Sequence, residues 1–213
     1  MALGNDIVDL ASPHVTGKGQ DPRFIRKILT SREQEYLNNS DRPDRVLWHV
    51  WAAKESAYKA LSRHHPHISS APKSFDVSFY PTDFSSMTNG IVHTPMENLS
   101  MSSWSDKDKI CCICMNSVSP SSLVLDLGVE GMEKGMALDY DQSTAAQSLL
   151  VRKKALLSLA SYSGESIDDI AIERPQNKKG HTGPPEVWIK GKKTDMTLSL
   201  SHDGRFVFFV WVI

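Results

Sequence analysis

Glu55 and Lys59 stand four residues apart in Trp51-Ala52-Ala53-Lys54-Glu55-Ser56-Ala57-Tyr58-Lys59. On a helix that spacing puts them one turn apart on the same face. They are either an exposed ion pair or charges with a task. Their stripe also carries Trp48 and Ala52, which do not make a solvated face. Lys54 lies seven residues from both Leu47 and Leu61, on the apolar stripe itself. Charges on or beside buried stripes have a partner or a function. Asp6 sits at the end of a glycine-started turn, Gly4-Asn5-Asp6, within an otherwise apolar strand, where an acid is either a turn cap or a metal ligand. His202 follows Leu198-Ser199-Leu200-Ser201 and precedes Asp203-Gly204. A histidine with serine hydroxyls at a strand end is either structural or a phosphate holder. No glycine-rich phosphate loop, Ser–His–acid arrangement or Cys–His motif occurs.

Composition narrows the setting. The chain has 213 residues, 40% hydrophobic and 23% charged, with a net charge of −1. That is enough apolar material for a real core and too much for disorder. No global field recruits nucleic acid or an acidic membrane, so an acidic partner must meet a local basic patch. The three cysteines fall in Cys111-Cys112-Ile113-Cys114, where neighbours on a strand point to opposite faces. Buried thiols in a reducing compartment are expected, not a metal site or a disulfide framework. Met1-Ala2-Leu3-Gly4-Asn5-Asp6 lacks a basic n-region, and no apolar run is long enough for a membrane span. A cytoplasmic protein is expected.

The elements that must position these residues follow from periodicity. Ile7–Leu10 reads as a short strand closed at Ser12-Pro13. A helix begins at Asp21-Pro22, a second is capped by Thr30 or Ser31 with Glu33 in its first turn, and a third runs over 44–62 from Pro43. Phe75–Phe79 alternates as a half-buried strand, residues 81–108 read as hairpins with long loops, and Ile110–Met115 is a strand buried on both faces. Ser117–Ser122 reads as a linker. Beyond it come an amphipathic helix, Ala145–Tyr162, strands at Ile167–Ile172, Glu186–Ile189 and Met196–Leu200, and the apolar run Phe206–Ile213. The outline is α+β: two similar halves, residues 1–118 and 121–213, each with helices packed on a small antiparallel sheet.

Gly4-Asn5-Asp6-Ile7-Val8 followed by Trp51-x-x-Lys54-Glu55-Ser56-x-x-Lys59 resembles the two signature motifs of the 4′-phosphopantetheinyl transferase superfamily. Phe24 to Glu33, in the form Phe-x-x-x-x-Leu-Thr-x-x-Glu, lies between them. Leu198-Ser199-Leu200-Ser201-His202-Asp203-Gly204 is similar to a third family motif near coenzyme A, and Gly183-Pro184-Pro185 to the family's G-x-P. The motif order is that of the short acyl-carrier-protein synthases, whereas the two halves resemble a surfactin-type enzyme in exchanged order. The resemblance therefore implies a monomeric pseudo-dimer, rather than a homotrimer, with one active site at the seam.

The resemblance also implies the chemistry. The phosphopantetheine arm of coenzyme A would pass to a serine of an apo acyl or peptidyl carrier protein, releasing 3′,5′-adenosine bisphosphate. Asp6 and Glu55 would hold Mg²⁺, Glu55 and Lys59 would be catalytic, and Lys54, His202, Ser201 and Arg152 would bind coenzyme A. Arg23, Arg26 and Lys27 would form the basic patch for the acidic carrier. Two departures stand out: Val8 occupies the place of a second metal acid, and Pro184 that of a lysine near coenzyme A, for which Lys178 or Lys179 could substitute. The alternatives are an inactive relative that still binds carrier or coenzyme A, and an unrelated interaction module.

Overall fold

The first strand explains the architecture. The computed structural model describes residues 1–80, 87–116, 125–131, 140–176 and 182–213. β1 (Leu3–Asp9) is buried along its whole length. Its alternate residues serve two different neighbours. Gly4, Asp6 and Val8 face the long helix α3 (Pro43–Ser62), where Val8 joins the first-half core. Leu3, Asn5, Ile7 and Asp9 face the second half: Leu3 and Ile7 enter an apolar cluster with Phe208, Val210 and Val212, and Asn5 Nδ2 donates to Phe208 O at 2.9 Å. The strand starts four residues earlier than the sequence pattern suggested, because Asn5 and Asp9 are polar residues buried against specific partners. Asp6 lies in mid-strand, so its reading as a turn cap is corrected.

Two short helices precede α3. α1 (Pro22–Ile28) starts at Asp21, whose carboxylate accepts from Arg23 N and Phe24 N. α2 (Ser31–Asn38) starts with a capping box between Thr30 and Glu33. The sheet is completed by β2 (Asp76–Tyr80), β3 (Met87–His93), β4 (Leu99–Ser105) and β5 (Lys109–Met115), in the order β1-β5-β4-β3-β2. Residues 81–86 of the expected hairpin region lie outside the described residues. β5 is buried on both faces as expected: Cys112 and Cys114 face α3, while Cys111 and Ile113 face the second half. All three thiols are free and buried. Burial pushes Cys111 up to about 12, so it carries no thiolate at neutral pH.

The second half repeats the plan. β6 (Leu125–Gly131) leads into α4 (Tyr140–Ser163), then β7 (Ile170–Glu173), β8 (Glu186–Ile189), β9 (Lys192–Asp203) and β10 (Phe206–Val212), in the order β6-β10-β9-β8-β7. Each half is thus a strand, a helix and a four-strand meander whose last strand returns to pair with the first. Every pairing is antiparallel. Sequence periodicity missed β6, and Ile167–Asp169 is a 3₁₀ turn rather than the start of β7. The expected linker, Ser117–Ser122, lies outside the described residues. No described helix is long and apolar enough to cross a membrane.

Three apolar clusters result, one under each helix and one between the two sheets. Phe209 belongs to the cluster under α4. Phe209→Ala is expected to lower stability by about 3–5 kcal/mol in urea unfolding, the cost of a large void in a packed core. A loss below 1 kcal/mol would mean that this sheet face is not packed as described. His49 supplies a pH test. It is buried, bonded to Ser103 Oγ at 2.6 Å, and held down to about 4 by burial and by Arg45. The unfolded chain takes up this proton near the ordinary value and the folded chain only near 4. Stability is therefore full above about pH 6.5 and falls as pH drops towards 4. Between pH 7.5 and 4.5 the wild type should lose about 2–3 kcal/mol more than His49→Gln; equal losses would count against it.

Candidate active site at the seam between the halves

Continuing the four-residue step along α3 from Glu55 gives Lys59 and then Arg63. All three side chains open on one cleft of about 680 Å³, with Tyr58, Ser62 and Pro66 beside them. The opposite wall comes from the second half: Arg174 to Gln176, Thr182 to Pro185, and Leu198 to Leu200 on β9. Asp6 joins through Lys59, whose ammonium donates to Asp6 Oδ1 at 2.7 Å and to Asn5 O at 3.0 Å. Three expected site residues from two distant segments are thereby brought together. What sets their approach is Gly4: a Cβ there would overlap Ser56 O and Ala60 N. The glycine lets α3 lie directly on β1, and Ser56 Oγ anchors it by donating to Cys112 O at 3.2 Å.

The electrostatics of the group are uneven. Burial raises the Asp6 carboxyl above its ordinary range, against the pull of Lys59. Burial and the charge of Asp6 raise Glu55 as well, again opposed by Lys59. The charge of Asp6 disfavours the ionisation of Glu55, and two such acids beside a half-buried cleft favour a bound cation. Among the described residues, no group of three or more His, Cys, Asp or Glu side chains is set to hold a metal. A divalent ion here would take two carboxylates from the chain and its other ligands from water and phosphate oxygens. That oxygen-only, sparse shell is one Mg²⁺ accepts. The residues present fit it.

Among the described residues, the second-half wall carries one cation, Arg174. His202, paired with Val207 in the β9–β10 ladder, is half-buried and pushed down by burial and by the charges of Lys59 and Arg174. Arg174 Nε donates to Gly183 O at 3.0 Å, and Arg63 donates across the seam to Pro185 O and Leu198 O. The sequence reading stopped the α3 stripe at Lys59 and missed Arg63; extending the step by four finds it. Arg174 had no sequence signal. Arg152 stands behind this wall, donating to Ile172 O at 3.4 Å and felt by Arg174. Ser201 is corrected: it is buried on the seam-facing side of β9, and its hydroxyl donates to Phe208 O rather than opening on the cleft. Lys178 and Lys179 lie outside the described residues.

Comparison with known proteins gives this geometry a family. The family model of the 4′-phosphopantetheinyl transferase superfamily matches residues 2–114. The chain belongs to this superfamily. Holo-[acyl-carrier-protein] synthase of Protochlamydia amoebophila is 34% identical over 61 residues, 29% of this chain and 50% of that protein. The same-named protein of Shewanella oneidensis is 35% identical over 82 residues, 34% of this chain and 63% of that protein. The chain thus spans about half to three-fifths of the length of these curated relatives.

Within this transferase-family chain, Lys54 needs correction. It is not a cleft residue. Its ammonium is buried, 2.6 Å from Glu33 Oε2 and 2.8 Å from Ile28 O. Glu33 also accepts from Thr30 N and Val77 N. The pair binds the end of α1, the start of α2 and the edge of β2 to α3. Burial pushes Glu33 up and Lys54 down, each restrained by its partner. Arg23, Arg26 and Lys27 are exposed on α1, which is stapled to α3 where Phe24 packs on Trp48 and Trp51. Val8, at the place of a second metal acid, is buried in the core. Lys54→Met is expected to cost about 3–5 kcal/mol in urea unfolding, since it leaves a buried carboxylate without its cation. An unchanged midpoint would mean that the pair does not anchor these helices.

Proposed function

We propose that the protein transfers the 4′-phosphopantetheine group of coenzyme A to a serine of an apo acyl carrier protein, releasing 3′,5′-adenosine bisphosphate. The observation that carries this reading is the meeting of Asp6, Glu55 and Lys59 beside a cleft whose far wall carries Arg174. The names of the two relatives support a carrier protein as acceptor. The serine oxygen bonds to the β-phosphorus, and the bond from that phosphorus to the bridging oxygen breaks, leaving both electrons on the bisphosphate. The serine proton goes to Glu55, whose carboxylate burial and the charge of Asp6 make more basic than usual. Lys59, fixed by Asn5 O and Asp6, steadies the phosphate as charge builds on the leaving oxygen. Asp6 and Glu55 would hold a Mg²⁺ ion, which supplies charge neutralisation for the pyrophosphate.

Arg174, with Arg152 behind it, gives the bisphosphate end of coenzyme A a cationic wall, and the His202 imidazole offers it a ring N–H nearby. Arg23, Arg26 and Lys27 on α1 offer the acidic carrier a basic surface, on a helix whose Phe24 packs on Trp51, one turn before Glu55. Catalysis then needs no covalent enzyme intermediate: positioning and charge stabilisation carry it. Mass spectrometry of an apo carrier incubated with coenzyme A and Mg²⁺ tests the reading. The wild type should add one phosphopantetheine to the serine peptide, and Glu55→Gln should slow that addition by about 10²–10⁴-fold with an unchanged unfolding midpoint. Wild type that binds carrier or coenzyme A without modifying the serine would make the protein an inactive relative.

A further inference from the structure

The far wall of the cleft contains a break in its own sheet. β8 and β9 pair Glu186 with Thr197, and the ladder is irregular between Glu186 and Trp188. Extending that register would set Pro185 against Leu198 and Pro184 against Ser199. Prolines have no N–H to donate, so the ladder stops there and the Leu198 carbonyl gains no donor from β8. A buried carbonyl needs one. The donor comes from the other half: Arg63 Nη2 reaches Leu198 O at 2.9 Å, while Nη1 and Nη2 both reach Pro185 O at 3.2 Å. The guanidinium thus bridges the two strand ends where the proline backbone cannot. No ion pair holds Arg63 among the described residues; its partners are these two carbonyls, with Glu186 acting at longer range.

We infer that Arg63 is a positioning residue, a strut from α3 that completes the interrupted β8–β9 ladder and so fixes the Gly183-Pro184-Pro185 wall against the catalytic face. The rest of the site argues for a division of labour. Asp6, Glu55 and Lys59 belong to the first half, and Lys59 is held there by Asn5 O and Asp6. Arg63, one turn beyond Lys59, makes its side-chain bonds among the described residues only to the second half. Losing it frees the wall that takes coenzyme A and leaves the reacting groups in place. The planar fork matters more than the charge, because one side chain must serve two carbonyls at fixed angles.

The wall is read by hydrogen exchange and the site by steady-state kinetics; only the second readout rests on the proposed transferase reading. In Arg63→Ala, amide exchange in Glu186–Ile189 and Thr197–Leu200 should quicken about tenfold or more, as expected when charge-assisted hydrogen bonds to two carbonyls are lost. Exchange within α3 should not change. The KM for coenzyme A should rise about tenfold while kcat changes less than about threefold, the signature of a lost binding surface rather than a lost reacting group. Arg63→Lys, which keeps the charge and loses the fork, should stay close to Arg63→Ala in both readouts, and it decides the question if the alanine variant does not fold. Unchanged exchange in either variant overturns the proposal. So does a normal KM in Arg63→Lys with exchange still raised, which would make the guanidinium an anion ligand. If wild type neither binds coenzyme A nor modifies a carrier, the function reading fails while the exchange result still judges the strut.

Discussion

Helix α3 can lie on β1 only because residue 4 has no side chain. The backbone of Ser56 and Ala60 occupies the space where a Cβ would stand. That contact fixes the distance between strand and helix, and with it the distance between Asp6, two residues along the strand, and Glu55 and Lys59 on the helix. Everything chemical in the molecule is scaled by it. The neighbouring bonds are consistent with a tight fit: Ser56 Oγ reaches through to Cys112 O on β5, and Lys59 turns back to Asn5 O. A glycine that the sequence presents as a turn former is here a packing device.

The same strand also makes the seam. With one face committed to α3, its other face is free to meet the second half. It does so through apolar contacts from Leu3 and Ile7 and through two polar ties. Asn5 N donates to Ser199 Oγ at 3.1 Å. Asp9 accepts from the Arg205 side chain at two points and from its backbone N–H, while Asp9 N donates to Asp203 Oδ2. Burial alone would raise Asp9, but these bonds hold its carboxyl below the usual range. Gly204 is required beside it: its φ is +50°, and a Cβ there would press on the Asp9 carboxylate. The turn after His202 is thus docked onto the strand that carries Asp6. This ion pair joins a buried carboxylate on one half to a part-exposed guanidinium on the other, and it sets register more than it adds stability.

Much of this was legible from residue spacing, and the failures have physical causes. The helices and the buried strand β5 followed from periodicity and capping, since local propensity and tertiary packing agree there. β1 was cut short because its polar residues look like loop residues until the second half is placed against them. β6, with two glycines and two acids in seven residues, gives no clean alternation. Lys54 was correctly singled out as a charge on an apolar stripe, but a charge with a partner and a charge with a task look alike in sequence. Only Glu33, twenty-one residues away, decides between them. Arg63 was missed for the opposite reason: its partners are backbone carbonyls of Pro185 and Leu198, which leave no side-chain signature. Asp6, Glu55 and Lys59 were found because their types, spacing and order matched a motif pair, with no need of a contact map.

Beside the Asp6–Lys59 pair, Glu55 and Arg174 stand on opposite walls of the cleft, and that arrangement limits what the site can hold. Burial raises Asp6 and Glu55 on the first half, and the charge of Asp6 raises Glu55 further; on the other side burial pushes Arg174 and His202 down, aided by Arg152 for the first and by Lys59 and Arg174 for the second. A pair of opposite charges would relax by moving together, as Lys54 and Glu33 have done. Like charges on fixed elements cannot relax, because α3 is held by Gly4 and Ser56 and the far wall by Arg63. A simple anion would satisfy Arg174 and aggravate the carboxylates; a bare metal ion would do the reverse. A polyanion that brings a divalent cation satisfies both at once. On the proposed function, the rigidity of the scaffold would act as a selectivity device, favouring a ligand that carries both signs of charge.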